Sequence, residues 1–175
     1  MAKLVEQKDP VLHQIAEEVP VDSITTPKVQ KVLKDMRRVL LSCPRGVAIA
    51  APQIGVPLRI FLVHDTTADK TEQDSRIPDL VAINPKIVKH SKKKEEMEEG
   101  CLSVPNLYGK TNRYTNATLR AYDEHGVEYT RDAGGLLAHI FQHETDHLDG
   151  ILYVDHAHET WETNELFEKV DNEKS

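Results

Sequence analysis

The sequence predicts an α+β fold, and three stretches carry that prediction. Apolar residues recur at helical spacing between Val29 and Leu40. A second helical pattern runs through GLLAHIFQHETDHLDG (135–150). Between them, ATLRAYDEHGVEYTRD (117–132) alternates around a turn at Glu124-His125-Gly126 and reads as a β-hairpin.

Taken in order, the first helix opens at Thr26-Pro27, an N-cap residue followed by a proline whose missing N–H costs nothing in the first turn. Val29, Val32, Leu33, Met36 and Leu40 form its apolar stripe, and Pro44 and Gly46 stop it. LRIFLVH (58–64) and DLVAINP (79–85) read as strands, separated by the apolar-poor stretch DTTADKTEQDSRIP (65–78), an exposed loop. KKKEEMEE (92–99) reads as a solvated hairpin tip or strand edge and is given no function. In the second helix Asp132 is the expected cap and Gly150 the expected stop.

With 175 residues, the chain is expected to be a single domain over 1–175, ending from about residue 160 in an acidic tail or short helix. Its 22 basic against 29 acidic side chains give a net charge of −7, a poor surface for tracking phosphates, so direct nucleic-acid binding is not expected. The same acidity, continued in the tail, gives no support for docking on the ribosome. No window is apolar enough for a membrane span, and MAKLVEQKDP lacks the pattern of a signal or transit peptide. Two widely separated cysteines, Cys43 and Cys101, fit a reducing compartment, and the expectation is a cytoplasmic protein of bacterial type.

The second helix contains HExxH: His143, Glu144 and His147. Imidazoles four residues apart lie one turn apart on one face, so both can reach a single cation, with the carboxylate beside it. Leu136, Ile140, His143 and His147 advance by 4, 3 and 4, which places both histidines on the apolar stripe rather than on a salt-bridged surface face. His139 cannot join them, since it lies about 12 Å from His147 along the axis at 1.5 Å per residue. A third ligand must come from elsewhere. Asp146 is on the wrong side of the helix, His156 and His158 sit in an unpatterned tail, and Cys43 ends an amphipathic helix as a small hydrophobe. Cys101 is preferred, because Gly100 beside it permits close backbone approach.

GVAIAAPQ (46–53), EGCLS (99–103) and QHETDH (142–147) together resemble the three signatures of the peptide deformylases, in the same order and at similar separations. The resemblance spans all but about the last fifteen residues. It implies antiparallel or mixed sheets around a central HExxH-bearing helix. It also implies one divalent ion, with Fe(II) favoured and Zn(II), Ni(II) or Co(II) accepted in preparations, held by Cys101, His143 and His147. The implied reaction is removal of the N-formyl group from the initiator methionine of newly made proteins by metal-activated water, with Glu144 as general base and then acid. By the same resemblance, Gln53 and the Leu102 N–H meet the formyl oxygen. Gly46, Val47, Ala48 and Gly100 hold the peptide as an added strand, and Met97, Leu102, Leu136, His139 and Ile140 surround the methionine side chain. The implied partners are formyl-methionyl nascent polypeptides.

Ala48 stands where the family usually has its second glycine, and Ile49 where it has leucine. The added methyl narrows the place where substrate backbone would lie. It is the one sequence feature that supports the alternative of a weak or silent homologue that binds metal or peptide only. A zincin-like peptidase shares HExxH but leaves EGCLS and AAPQ unexplained.

Overall fold

The computed structural model describes residues 2–43, 46–64 and 79–163. The loop expected at 65–78, the helix stop at Pro44 and the part of the expected acidic tail or short helix beyond residue 163 lie outside these residues.

Helix α1, Pro27–Leu41, forms where the periodicity places it. Thr26 occupies the N-cap position, but its hydroxyl turns back to donate to the Ser23 carbonyl at 2.7 Å and does not cap a helical N–H. The helix buries Val29, Leu33, Met36, Val39 and Leu40 against Ile49, Ile60, Leu62 and Val81. Removing such side chains from water contributes about 1.5–3 kcal/mol each.

Strands β1 (Ala48–Ala50), β2 (Ile60–Val63) and β3 (Leu80–His90) are followed by β4 (Lys94–Cys101) and β5 (Val104–Tyr114). Then come β6 (Asn116–Tyr122) and β7 (Glu128–Gly134), the helix α2 (Gly135–Leu148) and finally β8 (Glu159–Glu162). The strands pair antiparallel in two sheets, one ordered β1-β2-β3-β6-β7 and the other β4-β5-β8. This is the expected α+β class.

Three boundaries differ from the sequence reading. Strand β3 continues past Pro85 because the register slips between Ile83 and Lys86, which leaves room for a residue with no N–H to donate. Asn84, at φ 52°, closes that irregularity by pairing its side-chain amide with both backbone groups of Val19 at 2.7 and 2.8 Å. Asp132 does not cap α2; it sits in β7 and accepts the Thr118 hydroxyl at 2.6 Å, while Gly134 takes the N-cap position. Residues 159–162, expected in the tail or short helix, instead form β8 along the outer edge of β5. Thr160 and Trp161 favour strands, and an open edge was waiting for them.

The hairpin β6–β7 turns as predicted, with Asp123 accepting the N–H groups of His125 and Val127 on its carboxylate at 2.9 Å each. Helix α2 stops at Gly150, which has φ 75° and whose position leaves a Cβ only 2.8 Å from Gln14 N, so both conformation and space demand glycine. Buried Arg59 donates to the Leu148 carbonyl at 3.3 Å and to Asp149 Oδ1 at 2.7 Å, placing a cation at the negative end of the helix. The apolar side of α2 (Ala138, Ile140, Phe141, Leu148) packs on Ala50, Phe61, Val63 and Leu119 of the five-stranded sheet. Its polar side meets β4 and β5, and that is where the site lies. Among the described residues no helix is long and apolar enough to cross a membrane.

Candidate metal centre

His143 and His147 project from one side of α2, their ring centroids 4.9 Å apart. Cys101 ends β4, where the pairing with β5 shifts by several residues immediately after Gly100 and turns the thiol toward the helix. Its Sγ lies 3.2 Å from His147 Nε2. The three side chains offer ligand atoms all within 4.8 Å of one another. A single divalent cation bonds imidazole nitrogen at about 2.0–2.1 Å and sulfur at about 2.3 Å, so this spacing suits one ion.

The chemistry of the donors supports the fit. Burial pushes the Cys101 thiol up to about 12 and drives His147 well below the usual imidazole range, with the His143 ring adding to the second effect. Glu144 Oε2 is buried with no hydrogen-bond partner among the described residues. Buried polar groups left so incompletely satisfied are costly, and a cation with its bound water answers the deficit.

Glu99 forms the floor of the site. Its Oε2 lies 2.6 Å from His143 Nδ1, which leaves Nε2 of that ring for the cation. Arg113 donates from Nε to Oε1 at 2.6 Å and from Nη2 to Oε2 at 3.0 Å, Thr111 donates its hydroxyl, and Nη1 of Arg113 reaches Asp146 Oδ2 at 2.5 Å. His139 Nε2 lies 3.1 Å from Glu99 Oε1. Burial acts to raise the Glu99 carboxyl, yet His139, His143 and Arg113 outweigh it and hold the group far below the usual carboxylate range. A buried carboxylate thus orients one prospective ligand while Arg113 balances its charge.

Glu144, adjacent to the first histidine, is 4% exposed, and burial followed by repulsion from Glu99 raises its carboxyl to about 8. Gln53 comes from the 3-10 turn Ala51–Ile54 that follows β1. The Ala50 N–H donates to its Oε1 at 2.8 Å, which fixes the amide so that Nε2 faces Cys101 Sγ and Ser103 Oγ, each at 3.4 Å.

A cleft opens above these groups between β1 and β4, lined by Gly46, Val47, Ala48, Gly100, Leu102, Leu136, His139 and Ile140. Among the described residues both flanking strands lie at the ends of their sheets. Leu136 is 51% exposed at the mouth, so it belongs to the cleft rim and not to the core side of α2. Met97 is not among the lining residues; it sits further along β4, opposite Thr111, while Glu98 and Tyr108 take places that the sequence did not assign. Cys43 stays remote from the cluster, its thiol against the Val39 carbonyl, and His156 and His158 engage Asp146 and Glu96.

The site residues missed were Glu99, Arg113, Thr111 and Tyr108. A parity argument reaches the first: in a strand, every second residue faces the same way, so a cysteine turned inward at 101 brings Glu99 inward too.

Two antiparallel sheets around an HExxH helix, with a cysteine from a strand end completing a sulfur–nitrogen donor set, define a thiolate–imidazole metal-site fold. The polypeptide deformylase family model matches residues 1–162, and the chain belongs to that family. It is 40% identical to a peptide deformylase of Rhizobium meliloti (strain 1021) over 148 residues, 85% of this chain and 80% of that one. It is also 40% identical to the tomato (Solanum lycopersicum) protein named peptide deformylase 1A, chloroplastic, over 164 residues and 89% of this chain. The chain spans about three fifths of the length of the plant relatives it matches, 59% and 61%. A crystal structure of a peptide deformylase from Legionella pneumophila superposes with a TM-score of 0.76 at 35% identity, covering 89% of this chain and 85% of that one.

Proposed function

We propose that this chain is a metal-dependent hydrolase that removes the formyl group from the N-terminal methionine of newly made polypeptides. The observation that carries the reading is the convergence of Cys101, His143 and His147 beside the buried carboxyl of Glu144, at the base of a cleft with two strand edges. The family and the relatives named peptide deformylase support it.

A divalent ion held by Cys101, His143 and His147 supplies Lewis acidity and brings the pKa of water from 15.7 toward about 7. Fe(II) is the proposed native ion, since thiolate with imidazole suits a borderline-soft cation. With a cation beside it Glu144 would be held in its ionised form, able to take the proton of the attacking water and pass it to the departing nitrogen. Gln53 Nε2 and the Leu102 N–H donate to the formyl oxygen as negative charge gathers on it; losing one such donor typically costs about 2.7–4 kcal/mol of barrier. The edges at Gly46 to Ala48 and at Gly100 pair with the peptide backbone, and Leu136, His139 and Ile140 receive the methionine side chain. The chain acts as a single catalytic domain on formyl-methionyl peptides. A reducing cytoplasm suits it, because both cysteines are free thiols and Cys101 must remain reduced to bind an ion. Nothing among the described residues favours the silent-homologue reading.

The test is formate release from formyl-Met-Ala-Ser by protein loaded with Fe(II), Co(II) or Ni(II). Turnover is expected with each. Failure with all three overturns the proposal.

A further inference from the structure

The sheet β4-β5-β8 has two faces. Glu99 and Gly109 pair across it on the inner face, where a Cβ on Gly109 would come within 3.0 Å of the Tyr153 ring under α2. Strand parity therefore sends their neighbours Gly100 and Tyr108 to the outer face. There Gly100 pairs with Tyr108, and Tyr108 in turn pairs with Trp161, so the three stand in one row across the three strands. The Tyr108 ring lies over Gly100, where a Cβ would meet its Cε1 at 2.9 Å, and so reaches the wall of the cleft. Trp161 stacks behind it, with centroids 6.2 Å apart and planes 15° from parallel.

Strand β8 is fastened on both sides of that tryptophan. The His158 N–H donates to the Lys110 carbonyl at 3.0 Å, and His158 Nε2 lies 2.9 Å from Glu96. Lys110 pairs with Glu159 at 3.2 Å, and the Thr163 N–H donates to the Asn106 carbonyl at 2.9 Å. These anchors hold a large flat side chain in fixed register against Tyr108.

We infer that Trp161 is a positioning residue: it holds the Tyr108 ring over Gly100 as a wall that receives the side chain of the residue following formyl-methionine. This rests on the reading of the cleft as a formyl-peptide site. In a peptide added along the edge of β4, successive side chains point to opposite faces. The methionine side chain goes inward to Leu136, His139 and Ile140 on α2. The next side chain then points outward, to the face where the Tyr108 ring, lying over Gly100, supplies an apolar surface. Strand β8, which lies outside every signature motif, thereby becomes a determinant of substrate preference.

The experiment compares formyl-Met-Leu-Ser with formyl-Met-Gly-Ser on metal-loaded full-length protein. Wild type should show a KM about three- to tenfold lower for the leucine peptide, the range expected of one side-chain contact with an aromatic ring. Trp161→Ala should bring that ratio close to one with little change in kcat, and Trp161→Phe should restore most of it. Trp161 is the sole tryptophan of the chain, so its emission gives a second readout. In Glu144→Gln protein, emission should change on addition of the leucine peptide and far less with the glycine peptide. A wild-type KM ratio of one, a wild-type ratio retained in folded Trp161→Ala, or emission indifferent to the leucine peptide overturns the inference. Should Trp161→Ala fail to fold, the phenylalanine variant and the emission titration decide it. Absence of formate from both peptides with wild type overturns the formyl-peptide reading and this inference with it; turnover with an unchanged ratio overturns the inference alone.

Discussion

Glu99 Oε2 lies 2.6 Å from His143 Nδ1, so a carboxylate on β4 sets the orientation of an imidazole on α2. Arg113 holds the same carboxylate through two further hydrogen bonds. Partners of this kind typically account for 10–100-fold in metal affinity. Glu99→Gln should therefore weaken Co(II) or Zn(II) binding by about that factor, while Lys93→Ala, a change at an exposed side chain, should leave it unaltered. Competition against a chromogenic chelator measures both. Equal affinity in Glu99→Gln and wild type would remove Glu99 from the site's support.

That relationship also marks what the sequence could and could not convey. Helical period made α1 and α2 readable, because each buries a face against the five-stranded sheet and so must repeat its apolar residues every three to four positions. HExxH was readable for the same reason. Glu99 was hidden in a run of charges whose composition reads as solvated, although its parity with Cys101 points it inward. Arg113 escaped because a buried cation has no periodic signature; only its partners, Glu99 and Asp146, explain it. Strand β8 was missed because its four residues pair with a strand some fifty positions earlier, and acidic flanks masked Thr160 and Trp161. Met97 was assigned from the motifs alone; β4 pairs it with Thr111, and the residues that line the cleft are others.

Glu144 touches no described hydrogen-bond donor through Oε2, so the carboxyl is held by burial alone on that side. Replacing it with glutamine keeps the volume and removes the proton acceptor. Glu144→Gln should retain a full equivalent of metal and lose formate release by about 10²–10⁴-fold, the usual range for a general base. Metal content by elemental analysis and a coupled formate assay test the two halves separately. Loss of metal together with activity would reassign Glu144 to holding the site together.

An ion that binds the folded chain and not the unfolded one raises stability by about 2.7 kcal/mol at a hundred times its Kd. Added Co(II) or Zn(II) should accordingly raise the thermal midpoint of metal-stripped protein by several degrees, and EDTA should reverse the shift. Cys101→Ser exchanges the soft ligand for a weak one and should abolish most of the response, whereas Cys43→Ser should keep it. Differential scanning fluorimetry at fixed protein concentration reads this directly. A full shift in Cys101→Ser would exclude the thiol from the ligand set.

Away from the site, Tyr129 on β7 donates its hydroxyl to the Val81 carbonyl at 2.7 Å, and burial raises its pKa above the usual tyrosine value. In the unfolded chain the phenol loses its proton near pH 10, while in the fold it keeps it to higher pH. Above pH 10 the folded state therefore binds more protons than the unfolded state. Stability, fully present below that pH, must fall as pH rises, by up to about 1.4 kcal/mol per pH unit for one proton. Tyr129→Phe removes this titration and a hydrogen bond worth about 0.5–1.5 kcal/mol. The variant should be the less stable protein at pH 8 and should lose stability more gradually between pH 10 and 11. Urea midpoints across that range give both slopes, and parallel slopes would mean that Tyr129 ionises as easily in the fold as in the open chain.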